Sequence, residues 1–144
     1  MNYFQPYDLI FELLVWCKTN PSPTTNGVFL PDVEYCLMFR DHNTTLNEAY
    51  NLKSKWYVSG LNVKDKKVYD HPTIKPLTLV ERHISLSTHE GDTVLDCFMG
   101  SGTTGVACLN TNRNFIGMEI NDEYFKVAET RLEHAKEIHS MELF

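Results

Sequence analysis

Apolar and polar positions divide the chain into a succession of short elements. Leu9 to Cys17, LIFELLVWC, is an apolar run rich in β-forming residues and interrupted only by Glu12, the pattern of a buried strand. Lys18-Thr19-Asn20-Pro21-Ser22-Pro23 follows, and its two prolines stop regular structure. Residues 33–39, VEYCLMF, read as a second strand. Residues 41–70 are polar and rich in Asn and Lys, and we expect mostly loop there, with one short strand near Trp56-Tyr57-Val58. A loop of that length inside a small domain is usually functional or mobile. From residue 71 the periodicity sharpens. Pro76 to Leu86 sets Leu77, Val80 and Ile84 at helical spacing, with Pro76 suited to a first turn. Glu90-Gly91-Asp92 makes a turn, and Thr93 to Phe98 is a strand carrying Asp96 towards its end. Gly100 to Gly105 is a glycine-rich loop leading into a helix over about Thr103 to Leu109. Asn114 to Ile120 is a strand bearing Glu119, and a closing helix puts Phe125, Ala128, Leu132 and Ala135 on one face. Strand, glycine loop, helix, strand, helix is half of a doubly wound α/β sheet.

At 144 residues and 16.7 kDa the chain suits one domain. Its hydrophobic fraction of 42% and charged fraction of 22% are those of a soluble globular protein and exclude a disordered tail or a rod. No apolar run reaches the roughly 18 residues that cross a bilayer, and no signal peptide is visible, so we expect a cytoplasmic chain. The net charge of −6 argues against a protein held to nucleic acid by charge alone. The distribution says more. Residues 51–75 hold Lys53, Lys55, Lys64, Lys66, Lys67 and Lys75 against Asp65 and Asp70, a local +4, where a polyanion or merely solvent would be accommodated. Cys17, Cys36, Cys97 and Cys108 lack metal-ligand spacing and read as reduced, mostly buried thiols, so no metal site is expected. His83, His89, His134 and His139 read as surface or partly buried helix residues. Ser101 has no neighbouring base and no nucleophile elbow.

Gly100-Ser101-Gly102-Thr103-Thr104-Gly105 fits two phosphate-binding templates. The P-loop reading fails because Val106 stands where the phosphate-binding Lys belongs. The dinucleotide reading is opposed by Asp96, whose carboxylate would lie beside a pyrophosphate and repel it by several kcal/mol at an effective dielectric of about 20. A ligand with an ammonium group removes that conflict. S-adenosylmethionine carries one, together with a carboxylate suited to a helix start and a ribose diol suited to Glu119. The loop glycines would let backbone approach such a ligand closely.

Asp96-Cys97-Phe98-Met99-Gly100-Ser101-Gly102-Thr103-Thr104 resembles the D-P-F-x-G-S-G-T-T cofactor motif of the DNA adenine-N6 and cytosine-N4 amino-methyltransferases. His71-Pro72-Thr73-Ile74-Lys75-Pro76-Leu77 resembles the H-P-T-x-K-P motif preceding it in the permuted (beta) class. Asn114 to Glu119, followed by Tyr124, resembles the next motif, and Trp16 to Pro23 with Glu34-Tyr35 resembles the strand and proline turn before target recognition. These four motifs lie in the family's order across nearly the whole chain. The resemblance implies an S-adenosylmethionine-dependent methyltransferase sheet, Rossmann-like, of restriction-modification or phage type, in a bacterial cytoplasm. It implies one partial domain: strands after the catalytic motif in 1–40, a target-recognition and DNA-contact region in 41–70, and the cofactor half in 71–144. Asp96, Phe98, Gly100, Ser101, Gly102, Thr103 and Glu119 would hold the cofactor, with His71, Thr73, Lys75 and Pro76 closing its methionine side. Lys53, Lys55, Lys64, Lys66 and Lys67 would meet double-stranded DNA. Cys97 stands where the family usually has Pro, which loosens the loop without abolishing binding.

The family's catalytic D-P-P-Y-type tetrapeptide, which holds a flipped base and aligns its amino group with the methyl donor, is missing from the sequence. Gln5-Pro6-Tyr7-Asp8 and Asn20-Pro21-Ser22-Pro23 are the nearest strings, and neither carries the pattern. We therefore assign no catalytic residue and expect a central strand, between the Asp96 strand and the Leu13–Trp16 strand, to be absent. Three explanations compete: the C-terminal part of a split or truncated enzyme, a subunit completed by a second polypeptide carrying the D-P-P-Y segment, or a remnant that binds cofactor or DNA without catalysis. A small nicotinamide oxidoreductase is the reading from a different class.

Overall fold

The computed structural model describes residues 8–24, 27–47, 50–69 and 73–141. The chain divides into two units, residues 1–60 and 61–144. In the first, β1 (Ile10–Lys18) is the central strand of three. β2 (Val33–Arg40) runs antiparallel to it along its whole length, from Ile10 opposite Arg40 to Cys17 opposite Val33. β3 (Trp56–Ser59) adds parallel on the other edge, from Val15 opposite Trp56 to Lys18 opposite Ser59. Trp16 anchors this arrangement. Its ring is buried, and its indole N–H donates to Ser59 Oγ at 2.9 Å, satisfying the polar atom that burial would otherwise strand. Lys18 lies over that ring, 5.4 Å from Nζ to its centroid, and pairs with Glu34 at 2.7 Å.

Side-chain alternation gives the sheet two unlike faces. Phe11, Leu13, Tyr35, Leu37, Phe39, Trp56 and Val58 stand on one face, in register across the strands, and all are exposed. The β1 sequence reads as a buried strand, yet only Trp16 within it is buried. A strand apolar on both sides needs a layer on each side, and no described residue supplies the second. The open edge expected beside β1 is also partly closed: β3 pairs there over Val15–Lys18, while Ile10–Leu14 have no ladder on that side among the described residues.

The second unit contains α1 (Val63–Tyr69), α2 (Leu77–Ser87), β4 (Thr93–Asp96), α3 (Thr103–Asn110), β5 (Asn114–Gly117) and α4 (Asp122–Met141). β4 and β5 pair in parallel, Thr93 opposite Asn114 through Asp96 opposite Gly117. One face of this pair, Val94 and Phe115, packs with Leu77 and Val80 on a core of Ile84, Ala107 and Cys108. The opposite face, Leu95 beside Ile116, is exposed. The unit is thus half of the expected doubly wound arrangement, with helices on one side of the strands among the described residues. α1 and a 3-10 turn at Tyr50–Lys53 lie in the segment expected to be mostly loop. The expected mostly buried thiols are a single buried one: Cys108 is enclosed, and desolvation pushes its thiol up to about 11, whereas Cys36 and Cys97 are exposed.

Burial, and secondarily Arg82 beside it, pushes His83 in α2 below its ordinary 6.5. The unfolded chain therefore takes up this proton first as pH falls. The stability attached to the neutral ring is complete above about 6.5 and is lost on acidification below that value. Thermal melts between pH 7.5 and 5.5 should show a falling Tm, and His83→Gln should flatten that slope.

Candidate functional site

The turn after β4 is where the sequence concentrates its chemistry, and several contacts hold it in shape. Asp96 closes the strand. Its Oδ1 accepts the Phe98 N–H at 3.0 Å and its Oδ2 accepts the Thr104 hydroxyl at 2.6 Å, so the carboxylate ties both ends of the loop together. An ionised carboxylate accepts about four hydrogen bonds, which leaves capacity for a ligand donor. Gly100 and Gly102 take left-handed φ values of 51° and 75°. At Gly102 a Cβ would also lie 3.2 Å from Ala128 Cβ, because α4 packs directly against the back of the loop. The Gly102 N–H donates to the Met99 carbonyl at 2.8 Å, and Val106 N–H begins the α3 ladder on Gly102.

Glu119 acts on the same loop from the next strand's end. Its Oε2 accepts the Gly100 N–H at 2.9 Å, and its Oε1 accepts the Asn121 N–H at 3.0 Å. Asn121 in turn caps α4, its Oδ1 accepting the Glu123 and Tyr124 N–H groups. This carboxylate, expected to meet a ribose, also staples the glycine loop to the start of α4.

In front of the loop is a solvent-open cavity of about 200 Å³. It is lined by Thr73, Lys75, Val80, Asp96, Phe98, Met99, Gly100, Ser101, Thr103 and Thr104. Of the expected ligand residues, it gathers Thr73 and Lys75 from before α2 and Asp96, Phe98, Gly100, Ser101 and Thr103 from the loop. Gly102 faces α4 instead, Pro76 is buried at the start of α2, and Glu119 reaches the loop from outside the lining. His71 lies outside the described residues. The first turn of α3 lines the cavity with no side-chain cap, leaving amides whose helical partners do not exist.

Two residues of this site escape a reading of the sequence. Thr104 belongs to the motif but gave no hint of its bond to Asp96. Arg131 is the larger omission. It is 3% exposed, and its Nη1 donates to Thr103 Oγ1 at 2.9 Å, Ser101 Oγ at 3.2 Å and the Ser101 carbonyl at 3.3 Å. Its Nη2 donates to Asp65 Oδ2 at 2.8 Å, and the guanidinium sits 5.1 Å from the Tyr69 ring centroid. Burial pushes this group down from its ordinary value, and Asp65 opposes the shift. Breaking a fully buried pair by removing one partner destabilises by about 3–5 kcal/mol, a figure reduced here by the partial exposure of Asp65. The available signal was an Arg at i+3 from Ala128, inside the apolar stripe of α4.

The expected DNA-contacting lysines fall in different units. Lys64, Lys66 and Lys67 are exposed on α1, whereas Lys53 and Lys55 precede β3, with Lys55 Nζ 3.7 Å from Glu12 Oε1.

Residues 8–130 match the DNA methylase family of N6 and N4 type. The chain is 38% identical over 141 residues to the type II methyltransferase M2.DpnII of Streptococcus pneumoniae, covering 89% of this chain and 53% of that protein. It is 36% identical over 136 residues to M2.LlaDCHI of Lactococcus lactis subsp. cremoris, covering 85% of this chain and 51% of that one. The chain thus spans about half the length of these curated relatives. Its fold superposes on the crystal structure of the M1.HpyAVI–SAM complex with a TM-score of 0.78 at 36% identity, over 91% of this chain and 66% of that one. It matches the cytosine-N4-specific PvuII DNA methyltransferase with a TM-score of 0.77 at 18% identity, over 96% and 59%. The motif order read along the sequence, the loop geometry after β4 and these matches agree: the chain belongs to the N6/N4 DNA methylase family and has the Rossmann-like methyltransferase fold in part.

Proposed function

We propose that this chain is the cofactor-binding and DNA-recognition portion of an S-adenosylmethionine-dependent DNA amino-methyltransferase, acting on an exocyclic amino group of adenine or cytosine. The observation that carries this reading is the cavity in front of the glycine loop, with the Asp96 carboxylate at its strand end and an uncapped helix start on its rim. The residues fit the ligand. Asp96 offers an anion to the methionine ammonium, and the first-turn amides of α3 suit the carboxylate. Thr73 and Lys75 border the same space. At about 200 Å³ the cavity is smaller than a typical whole-ligand pocket of roughly 300–1,000 Å³ and suits the amino-acid end, with the nucleoside lying beyond it. S-adenosylmethionine, once bound, supplies an activated methyl group on its sulfonium. The chain's own residues orient that donor; the alignment of an acceptor nitrogen belongs to the D-P-P-Y-type segment that this sequence lacks.

The M1.HpyAVI structure bound to SAM supports this cofactor, and the names of the type II methyltransferase relatives support DNA as the substrate in a bacterial restriction-modification setting. The described residues contain no helix long and apolar enough to cross a membrane. A further segment, from the same chain or from a second polypeptide, completes the enzyme in this reading. The exposed apolar faces of both sheets support it, because a soluble protein rarely leaves so many cross-strand apolar pairs in water. Lys64, Lys66 and Lys67, all exposed within the seven residues of α1, are the most closely spaced phosphate contacts. A nicotinamide oxidoreductase is disfavoured by the carboxylate of Asp96 at the position a pyrophosphate would take.

Two outcomes test the reading. Asp96→Asn keeps the side chain's size and its acceptor for Phe98 N–H, turns the Thr104 bond into one donated by the amide, and removes the charge. It should weaken S-adenosylmethionine binding at least tenfold in calorimetry while circular dichroism is unchanged, and undiminished affinity would remove Asp96 from the role. Replacing Lys64, Lys66 and Lys67 together with Gln should weaken binding of a short DNA duplex and lower the slope of log K against log salt by up to about 3. An unaltered slope would take α1 out of the DNA interface.

A further inference from the structure

Arg131 has an unusual position: a guanidinium almost wholly buried, in contact with the ligand loop on one side and with a surface helix on the other. On the loop side its Nη1 reaches Ser101 and Thr103, two residues that also line the cavity. On the other side Nη2 meets Asp65 Oδ2, which also accepts from Asn62 Nδ2 at 2.9 Å. Asn62 caps α1, its Oδ1 accepting the Asp65 N–H at 3.2 Å, so the carboxylate is fixed to the helix start before it meets Arg131. Asp65 and Tyr69 lie one turn apart on the inner side of α1 and both contact the guanidinium. Lys64, Lys66 and Lys67 on the same helix are exposed to solvent.

Beyond these contacts α1 is lightly held. Among the described residues it packs extensively against no other helix or strand, and a cavity of about 130 Å³ lies between its inner side and residues of α2, α3 and α4. The ion pair is therefore the firm attachment of a loosely packed helix, and its far end is the loop that shapes the ligand cavity. A buried guanidinium cannot lose its counter-ion and stay in place: it must seek water or draw other acceptors towards itself, and its three acceptors on the loop side would move with it.

We propose that Arg131 is a positioning residue for the glycine loop, held in place by Asp65, so that the lysine-bearing helix α1 and the cofactor loop form one mechanical unit. In this arrangement a residue that does not line the ligand cavity sets the affinity of the loop for its ligand. The inference builds on the cofactor reading of the cavity but can be tested apart from it.

The test compares the whole chain with its Asp65→Asn and Asp65→Glu variants, using amide hydrogen exchange without ligand and then S-adenosylmethionine titration. Gly100 and Gly102 are suitable reporters because both amides are hydrogen-bonded, and the β5 amides of residues 114–117 are the internal reference. Asp65→Asn should speed exchange at Gly100 and Gly102 about tenfold relative to β5 and weaken S-adenosylmethionine binding by a similar factor, while Asp65→Glu restores both. Unchanged exchange at the loop, or equal acceleration at loop and β5, would overturn the proposal, the second by showing only a general contribution to stability. Faster loop exchange in a chain whose wild type binds no S-adenosylmethionine would keep the strut and sink the cofactor reading instead.

Discussion

Everything that gives this chain a ligand-binding shape depends on the tight contact between the glycine loop and α4. Gly102 can sit against Ala128 because it lacks a Cβ, and its left-handed φ turns the chain from β4 into α3. That contact brings Arg131 under Ser101 and Thr103, while Glu119 fastens Gly100 to the start of the same helix. Asp96, bonded at both ends of the loop, fixes it from the strand side. The cavity is thus preorganised by backbone amides and carboxylates that are already paired within the protein, and ligand binding would require little reordering.

Much of this is legible in the residues themselves. Strand, loop and helix between 93 and 141 follow from clear periodicity and from glycine spacing, and their ends differ from expectation by only a few residues. β1 and β2 were visible as apolar runs next to prolines, whereas β3 showed only as one short strand near Trp56–Val58 inside a segment expected to be mostly loop. α1 was not. Its seven residues, VKDKKVY, carry three lysines and too few apolar positions to show a helical stripe, and the Asn62-to-Asp65 cap was its one local signal. Arg131 was hidden for a different reason: its partners are 28 to 66 residues away in sequence, and no local pattern encodes such a contact. The role of Glu119 was half legible. Its position at the strand end is a sequence property, but its bond to Gly100 depends on how tightly the loop folds back.

The exposure of apolar faces follows from the same physics. Strands rich in Val, Ile, Leu and Phe on both sides evolve where both sides are covered. Here β1 with β2, and Leu95 with Ile116, present to water the side chains that a second layer would cover. The chain spans about half the length of its curated relatives, and these faces are where the physical account calls for more protein. The groups that shape the cofactor cavity, from Asp65 on α1 through Thr73, Lys75 and Asp96 to Arg131 on α4, all lie within residues 61–144, so the ligand site can form independently of that additional layer.

Calorimetric titration of S-adenosylmethionine into the purified wild-type chain, with NADH as the control ligand, tests that independence. A ligand site that forms on this chain alone gives single-site binding of S-adenosylmethionine and no saturable binding of NADH. A chain shown by circular dichroism to be folded, yet binding neither ligand or binding NADH, would contradict it.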